Sequence, residues 1–414
     1  MTEKFDNLIY LINLLLFINQ IAISSSALSC KISVPDTVTS QKLNNIICIG
    51  ASGFTYSNFA TFSDGSLLVE CSRDIGTIRR SFYGITLDGK PFFKNNQYHM
   101  SLNSNNECYR KESENSVITL NDNAKSEYLM SVGNDLKVEV YDLNSESILY
   151  TTTTSSFIDS KTMDSEIQTF LKYSDVSNNY LFHCYLTSEC YLRIRKLKFT
   201  SANPLTYSTV TSKYLQFIYG KIASCYMTAQ YYIVCLTIYS KLTPLVYAHL
   251  YATVYDINLN QKVNSDLDYL FVPTSLRYLY FLKGIHLKDE IGIAAFYRAV
   301  SSKMVKTPVL LFLSYSNSKI TNYISAVELN KKEFSTDCTL NDIIKINEKK
   351  VVYFGTSESK EVMYIVLIII YDNTNVAIRY YDFNIYSLYT FKFYLNMRGN
   401  VYNNFIAFAF CFCR

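Results

Sequence analysis

The residues best suited to chemistry in this chain are its eleven cysteines, at positions 30, 48, 71, 108, 184, 190, 225, 235, 338, 411 and 413. Two pairs have hairpin spacing. Cys184 and Cys190 flank Thr187-Ser188, and Cys225 and Cys235 flank a turn near Ala229-Gln230. Cross-strand cysteines form a disulfide when their Cβ atoms come within about 3.5–4.5 Å. The other use of such residues is as buried thiols, because cysteine packs well in cores. An odd total leaves one thiol over. Cys411-Phe412-Cys413 is no metal signature by itself, since zinc sites gather four ligands at wider spacing.

Other reactive types are scattered. His99, His183, His249 and His286 share no motif, and His183, beside Cys184 in an apolar run, reads as a packed core histidine. The acidic pairs Asp266/Asp268 and Asp289/Glu290 read as turn and surface residues. His-Glu-x-x-His, Gly-x-Ser-x-Gly, phosphate-loop, EF-hand and Gly-x-Gly-x-x-Gly patterns are all missing from the sequence. "GASGF" (Gly50 to Phe54) is a loop and not a nucleophile elbow. The expectation is no catalytic motif, no metal site and no cofactor. An enzyme whose site is assembled from single residues on separate repeats would leave no linear trace.

Composition narrows the class. The 414 residues are 49% hydrophobic and 18% charged, with a formal net charge of +4. A nucleic-acid binder would concentrate basic residues in a stripe; here they form only short spots such as Arg79-Arg80 and Lys349-Lys350. The 37 tyrosines, without a single tryptophan, fit the codon bias of an AT-rich genome. None of the 34 asparagines begins an Asn-x-Ser/Thr acceptor site.

The N-terminus carries a targeting pattern. Leu8 to Phe17 is apolar apart from Asn13, and Ser24, Ser25, Ser26, Ala27 and Ser29 follow. Ala27-x-Ser29 fits a cleavage site that leaves Cys30 as the first mature residue. A membrane-spanning helix needs about 20 apolar residues. The division expected is a signal peptide over 1–29 and one domain over 30–414. The chain would then be extracellular or at the cell surface, and it would meet a membrane only if the leader stays on as an anchor or the chain is part of a membrane protein.

Strands position whatever function there is. Short apolar runs alternate with Gly, Asn, Asp and Ser, and Asp64-Gly65 and Asp88-Gly89 are hairpin signals. Apolar triplets begin at Leu67, Tyr128, Tyr180, Tyr231, Ile291, Val351 and Phe405, spaced 51 to 61 residues apart. A strand ending in Tyr-Asp-x-Asn or its near equivalent recurs in step, with its aspartate at Asp88, Asp142, Asp256 and Asp382. These acids read as turn formers that bond local backbone. Each repeat holds about four strands, and the motif marks the third. "TMDSEIQTFLKYSD" (Thr162 to Asp175) has helical spacing.

Repeats of four strands resemble the β-propeller architecture. The resemblance is to the architecture alone, for the chain carries no Gly-His/Trp-Asp signature, no kelch double glycine and no sialidase Asp box. It implies an all-β propeller, seven-bladed with an incomplete last blade, completed by Lys31 to Val34, by Asn45 to Ile49, or by both. The alternative is tandem β-sandwich domains. For function, the expectation is a binding module that recognises a protein or glycan through a propeller face, with no nucleic-acid partner. An extracellular hydrolase or lyase with its site at the propeller axis is the alternative.

Overall fold

The computed structural model describes residues 9–14, 39–42, 57–61, 67–73, 79–85, 98–101, 117–121, 127–132, 138–142, 147–152, 163–176, 178–187, 190–202, 205–216, 220–240, 248–270, 278–299, 306–316, 318–329, 339–357, 362–384, 395–402 and 405–412, with side chains for much of 169–380. The chain is nearly all-β. Among the described residues it forms seven four-stranded antiparallel sheets, the blade pattern of a β-propeller.

The seventh sheet uses both ends of the chain. Strands β1 (Ile9–Leu14) and β2 (Thr39–Lys42) join β27 (Leu395–Tyr402) and β28 (Phe405–Phe412) in the order β2-β1-β28-β27. The first sheet is β3 (Ser57–Thr61), β4 (Leu67–Arg73), β5 (Arg79–Ile85) and β6 (Tyr98–Ser101). The second is β7 (Val117–Asn121), β8 (Glu127–Val132), β9 (Val138–Asp142) and β10 (Ser147–Thr152). The third is β11 (Met163–Ser174), β12 (Asn179–Thr187), β13 (Tyr191–Ala202) and β14 (Leu205–Gln216). The fourth is β15 (Gly220–Met227), β16 (Ile233–Ser240), β17 (Ala248–Tyr255) and β18 (Gln261–Asp266). The fifth is β19 (Tyr278–Lys288), β20 (Ile291–Ala299), β21 (Lys306–Ser316) and β22 (Lys319–Glu328). The sixth is β23 (Thr339–Asn347), β24 (Lys350–Ser357), β25 (Val362–Ile370) and β26 (Val376–Asn384).

The chain divides into two compact units. Met1–Asn103 with Phe391–Arg414 holds the seventh and first sheets, and Ser104–Thr390 holds the second to sixth.

Several expectations change. The last sheet is complete, but β1 and β2 complete it; Lys31 to Val34 and Asn45 to Ile49 lie outside the described residues. β1 falls inside the segment read as a leader, so a chain that begins at Cys30 has lost it. Residues 163–174, expected to be helical, form β11. Leu171 and Tyr173, two residues apart on the strand, both pack against the core shared with the next sheet. The recurring apolar triplets mark the second strand of every sheet. Asp142 ends β9 and Asp256 follows β17, both third strands, whereas Asp382 lies inside β26, a fourth strand. The true counterpart there is Asp372, just after β25.

Packing in the larger unit follows the period of two. In β16, Val234, Leu236 and Ile238 face the fifth sheet, while Ile233 and Cys235 face the third. In β20, Ala294 and Phe296 face the fourth sheet, and Ile293, Ala295 and Tyr297 face the sixth. Strands covered on both faces become continuous apolar runs. A register slip of one residue would exchange the two faces.

First strands adjoin: β11 lies against β15, β15 against β19, and β19 against β23. Side chains tie them together. Cys225 N–H donates to Thr169 Oγ1 at 3.3 Å and Gly284 N–H to Ser224 Oγ at 3.0 Å, both buried. Lys283 pairs with the buried Asp342. The donor and acceptor in each case lie 56 to 60 residues apart, one repeat.

Tyr226 of β15 lies across Gly284 and Gly292 of the fifth sheet. A Cβ built on Gly292 would sit 2.3 Å from the Tyr226 ring. Gly292→Ala should therefore destabilise the fold by about 1–3 kcal/mol, as overpacking does. Chemical denaturation should show this cost largely removed in a Tyr226→Ala background. An equal cost in both backgrounds would mean that the ring does not cover the glycine.

Candidate functional site

The sequence supplies hairpin turns at regular intervals, and the antiparallel topology decides where they go. Turns from first to second strand and from third to fourth all fall at one end of their sheets. In the third to fifth sheets this end presents tyrosines.

The turns are built by short polar side chains. Asp175 Oδ1 accepts Asn178 N–H at 2.8 Å. Thr228 Oγ1 accepts Tyr232 N–H at 3.1 Å. Asp256 Oδ1 accepts the N–H groups of Asn258 and Asn260, both at 2.9 Å, and Asp372 Oδ1 accepts Thr374 N–H at 2.7 Å. Asp256 is thus the turn former its motif suggests; the side chains of Asp88, Asp142 and Asp382 lie outside the described residues. Tyr231 takes a left-handed conformation, at φ 63°.

The rings meet across sheet boundaries. Tyr173 pairs with Tyr180 at a centroid distance of 5.8 Å and meets Tyr231 of the next sheet edge-on at 4.9 Å. Lys196 Nζ sits 4.3 Å from the centre of the Tyr180 ring, a cation–π distance. Tyr232 meets Tyr315 of the fifth sheet edge-on at 4.8 Å. Tyr231 is 50% exposed. Two bonds fix the turns to each other: Ala229 N–H donates to the backbone Asp289 O at 2.9 Å, and Gln230 N–H to the side-chain Glu290 Oε1 at 3.0 Å.

Charges of both signs flank the rings. Burial lowers the Lys196 pKa, and Asp175 and Asp256 offset part of that effect. Burial pushes the Asp256 carboxyl up, but the Asn260 and Asn258 N–H bonds and Lys262 at 3.1 Å outweigh it, and the group ends below its usual value. Asp256 therefore stays ionised at neutral pH. The arrangement offers ordered aromatic rings backed by charged groups that hold the turns in place.

The cysteine and histidine expectations resolve separately. Cys225 and Cys235 are register partners in β15 and β16 and form a disulfide. Cys184 and Cys190 are not joined to each other. Cys184 faces Ile194 across the β12–β13 ladder and is buried against the fourth sheet; Cys190 lies beyond the last ladder pair, Leu186 with Leu192. Burial pushes the Cys184 thiol far up. Its sulfur lies within 4.8 Å of Cys225 and Cys235, whose own sulfurs the disulfide occupies. His183 is fully buried between Phe170 and Tyr185, both 4.6 Å away, as a core histidine. His286 contacts Asp289 O at 2.9 Å. His249 instead meets Asp266 and Asp268, a cluster the sequence does not announce because pairing of β17 with β18 creates it.

No family model matches the chain, and no curated protein matches it. Solved structures similar to it include an ulvan lyase of polysaccharide lyase family PL25, at 9% identity and a TM-score of 0.47, covering 77% of this chain and 81% of that one. A chain of the mitotic checkpoint complex is similar at 9% identity and a TM-score of 0.43, covering 85% and 88%. The WD40 domain of SCAP from fission yeast is similar at 6% and 0.33, covering 80% and 92%.

Non-reducing peptide mapping should recover Cys225 joined to Cys235, with Cys184 and Cys190 unlinked to each other. A Cys184–Cys190 peptide would contradict the β12–β13 register.

Proposed function

We propose that the chain is an extracellular or cell-surface binding module that recognises a glycan or a protein surface through the tyrosine-bearing turn end of its third to fifth sheets. The observation that carries this reading is Tyr231: half-exposed, held at positive φ, and packed edge-on against Tyr173 of the neighbouring sheet. Ordered aromatic side chains bind with little loss of conformational freedom. The Cys225–Cys235 disulfide supports an oxidising compartment. A hydrolase or lyase is the second reading, and His249 with Asp266 and Asp268 is what favours it. These residues sit on the third and fourth strands of their sheet and in the turn that follows, away from the adjoining first strands where an axial site would lie.

The test is binding of labelled full-length chain to intact cells, before and after glycosidase treatment. Tyr231→Asn, which tolerates positive φ, should weaken binding by roughly 10- to 30-fold, as loss of a central tyrosine does. Stability should change by less than about 1 kcal/mol. Glycosidase treatment that abolishes binding identifies a glycan, and binding that survives it identifies a protein. Equal binding by wild type and variant, or binding by neither, would contradict the reading. The disulfide map tests the compartment: free thiols at both Cys225 and Cys235 in chain from its native source would place it in a reducing one.

A further inference from the structure

At the opposite end of the fourth sheet from the tyrosine turns, a second group of side chains converges. His249 is the second residue of β17, Asp266 is the last of β18, and Asp268 opens the 3₁₀ turn Asp268–Leu270. Each carboxylate is anchored by one oxygen to backbone. Asp266 Oδ1 accepts Asp268 N–H at 2.8 Å, and Asp268 Oδ1 accepts Leu250 N–H at 3.2 Å. The other two oxygens turn to one imidazole nitrogen. His249 Nδ1 lies 2.6 Å from Asp268 Oδ2 and 3.5 Å from Asp266 Oδ2, and the three atoms lie within 4.8 Å of one another.

We propose that His249, Asp266 and Asp268 bind a divalent transition-metal ion, for which zinc is the first probe. A nitrogen donor with two carboxylate oxygens suits zinc and its neighbours better than the all-oxygen shells of calcium or magnesium. Metal–donor distances of about 2.0–2.2 Å put neighbouring donors roughly 3–3.5 Å apart. The His249–Asp266 separation already fits, and the His249–Asp268 pair opens by under about 1 Å to match.

The surroundings supply what such a site needs. The side chains of His249, Asp266 and Asp268 are 21%, 35% and 19% exposed, so an ion can reach them. Tyr239 stacks on the imidazole at 5.2 Å and its hydroxyl donates to Asp266 Oδ2 at 3.3 Å, which orients two of the ligands from behind. Three protein donors leave at least one coordination position for water or a ligand oxygen, as in zinc sites that do chemistry. The site does not depend on the binding-face reading, because none of its residues belongs to that face.

The experiment uses the full-length, disulfide-intact chain titrated with zinc alone by calorimetry, and then with cobalt(II) followed by absorbance. Expected are one equivalent of tight zinc binding and cobalt d–d bands without a thiolate charge-transfer band. His249→Gln, Asp266→Asn and Asp268→Asn should each weaken zinc by roughly tenfold or more. The wild-type cobalt spectrum reports the donor set even if a variant fails to fold. Absence of binding by the wild type, unchanged affinity in folded variants, or a thiolate band placing the metal at cysteine would each overturn the proposal. In those cases the cluster is a hydrogen-bonded histidine–aspartate pair only.

Discussion

A four-stranded sheet has two edges and two faces, and none of these is stable alone in water. From the third sheet to the sixth, first strands solve the inner-edge problem with their neighbours' side chains. Thr169 accepts the Cys225 N–H, Ser224 accepts the Gly284 N–H, and Lys283 meets Asp342. One repeat thus satisfies backbone or charge exposed by the next. The rest follows from this constraint. With first strands held side by side, the sheet faces press together and exclude water from Leu236, Phe296, Phe312 and Tyr353. Buried polar groups without partners would cost about 1–3 kcal/mol each, which makes the third, fourth and fifth sheets depend on one another.

The same stacking explains how tyrosines 58 residues apart in sequence become neighbours. Tyr173 and Tyr231 each sit near the first-to-second turn of their own sheet. Once β11 and β15 adjoin, these turns adjoin too, and the rings meet. A face made this way inherits its rigidity from the sheets beneath it. The His249 cluster has a different origin, the pairing of β17 with β18 within a single sheet.

Much of the architecture was legible in the sequence because period-two alternation and turn residues act locally. The triplets at Leu67 and Tyr180 mark second strands for that reason. The aspartate motif failed at Asp382 because a fourth strand can also carry Tyr-Asp. Tyr371-Asp372, at the end of the apolar run of β25, is the position that caps a third strand and bonds Thr374. Residues 163–174 misled because Met163, Ile167, Phe170 and Leu171 match a helical period by chance, while pairing with β12 decides their state. Cys184 and Cys190 matched a hairpin spacing, but the turn falls so that Ile194 faces Cys184. The candidate site was less legible. Each tyrosine could be seen, but which tyrosines touch depends on sheet-to-sheet contacts that no local pattern encodes.

The account rests on the first-strand belt, and amide hydrogen exchange of the native chain tests it most directly. The Cys225 and Gly284 amides lie on first strands and bond to side chains of the preceding sheet rather than to a ladder partner on that side. If the belt holds, both should exchange as slowly as ladder amides in β16 and β20. Exchange at the rate of the exposed turn amides of Asn258 and Thr374 would contradict it.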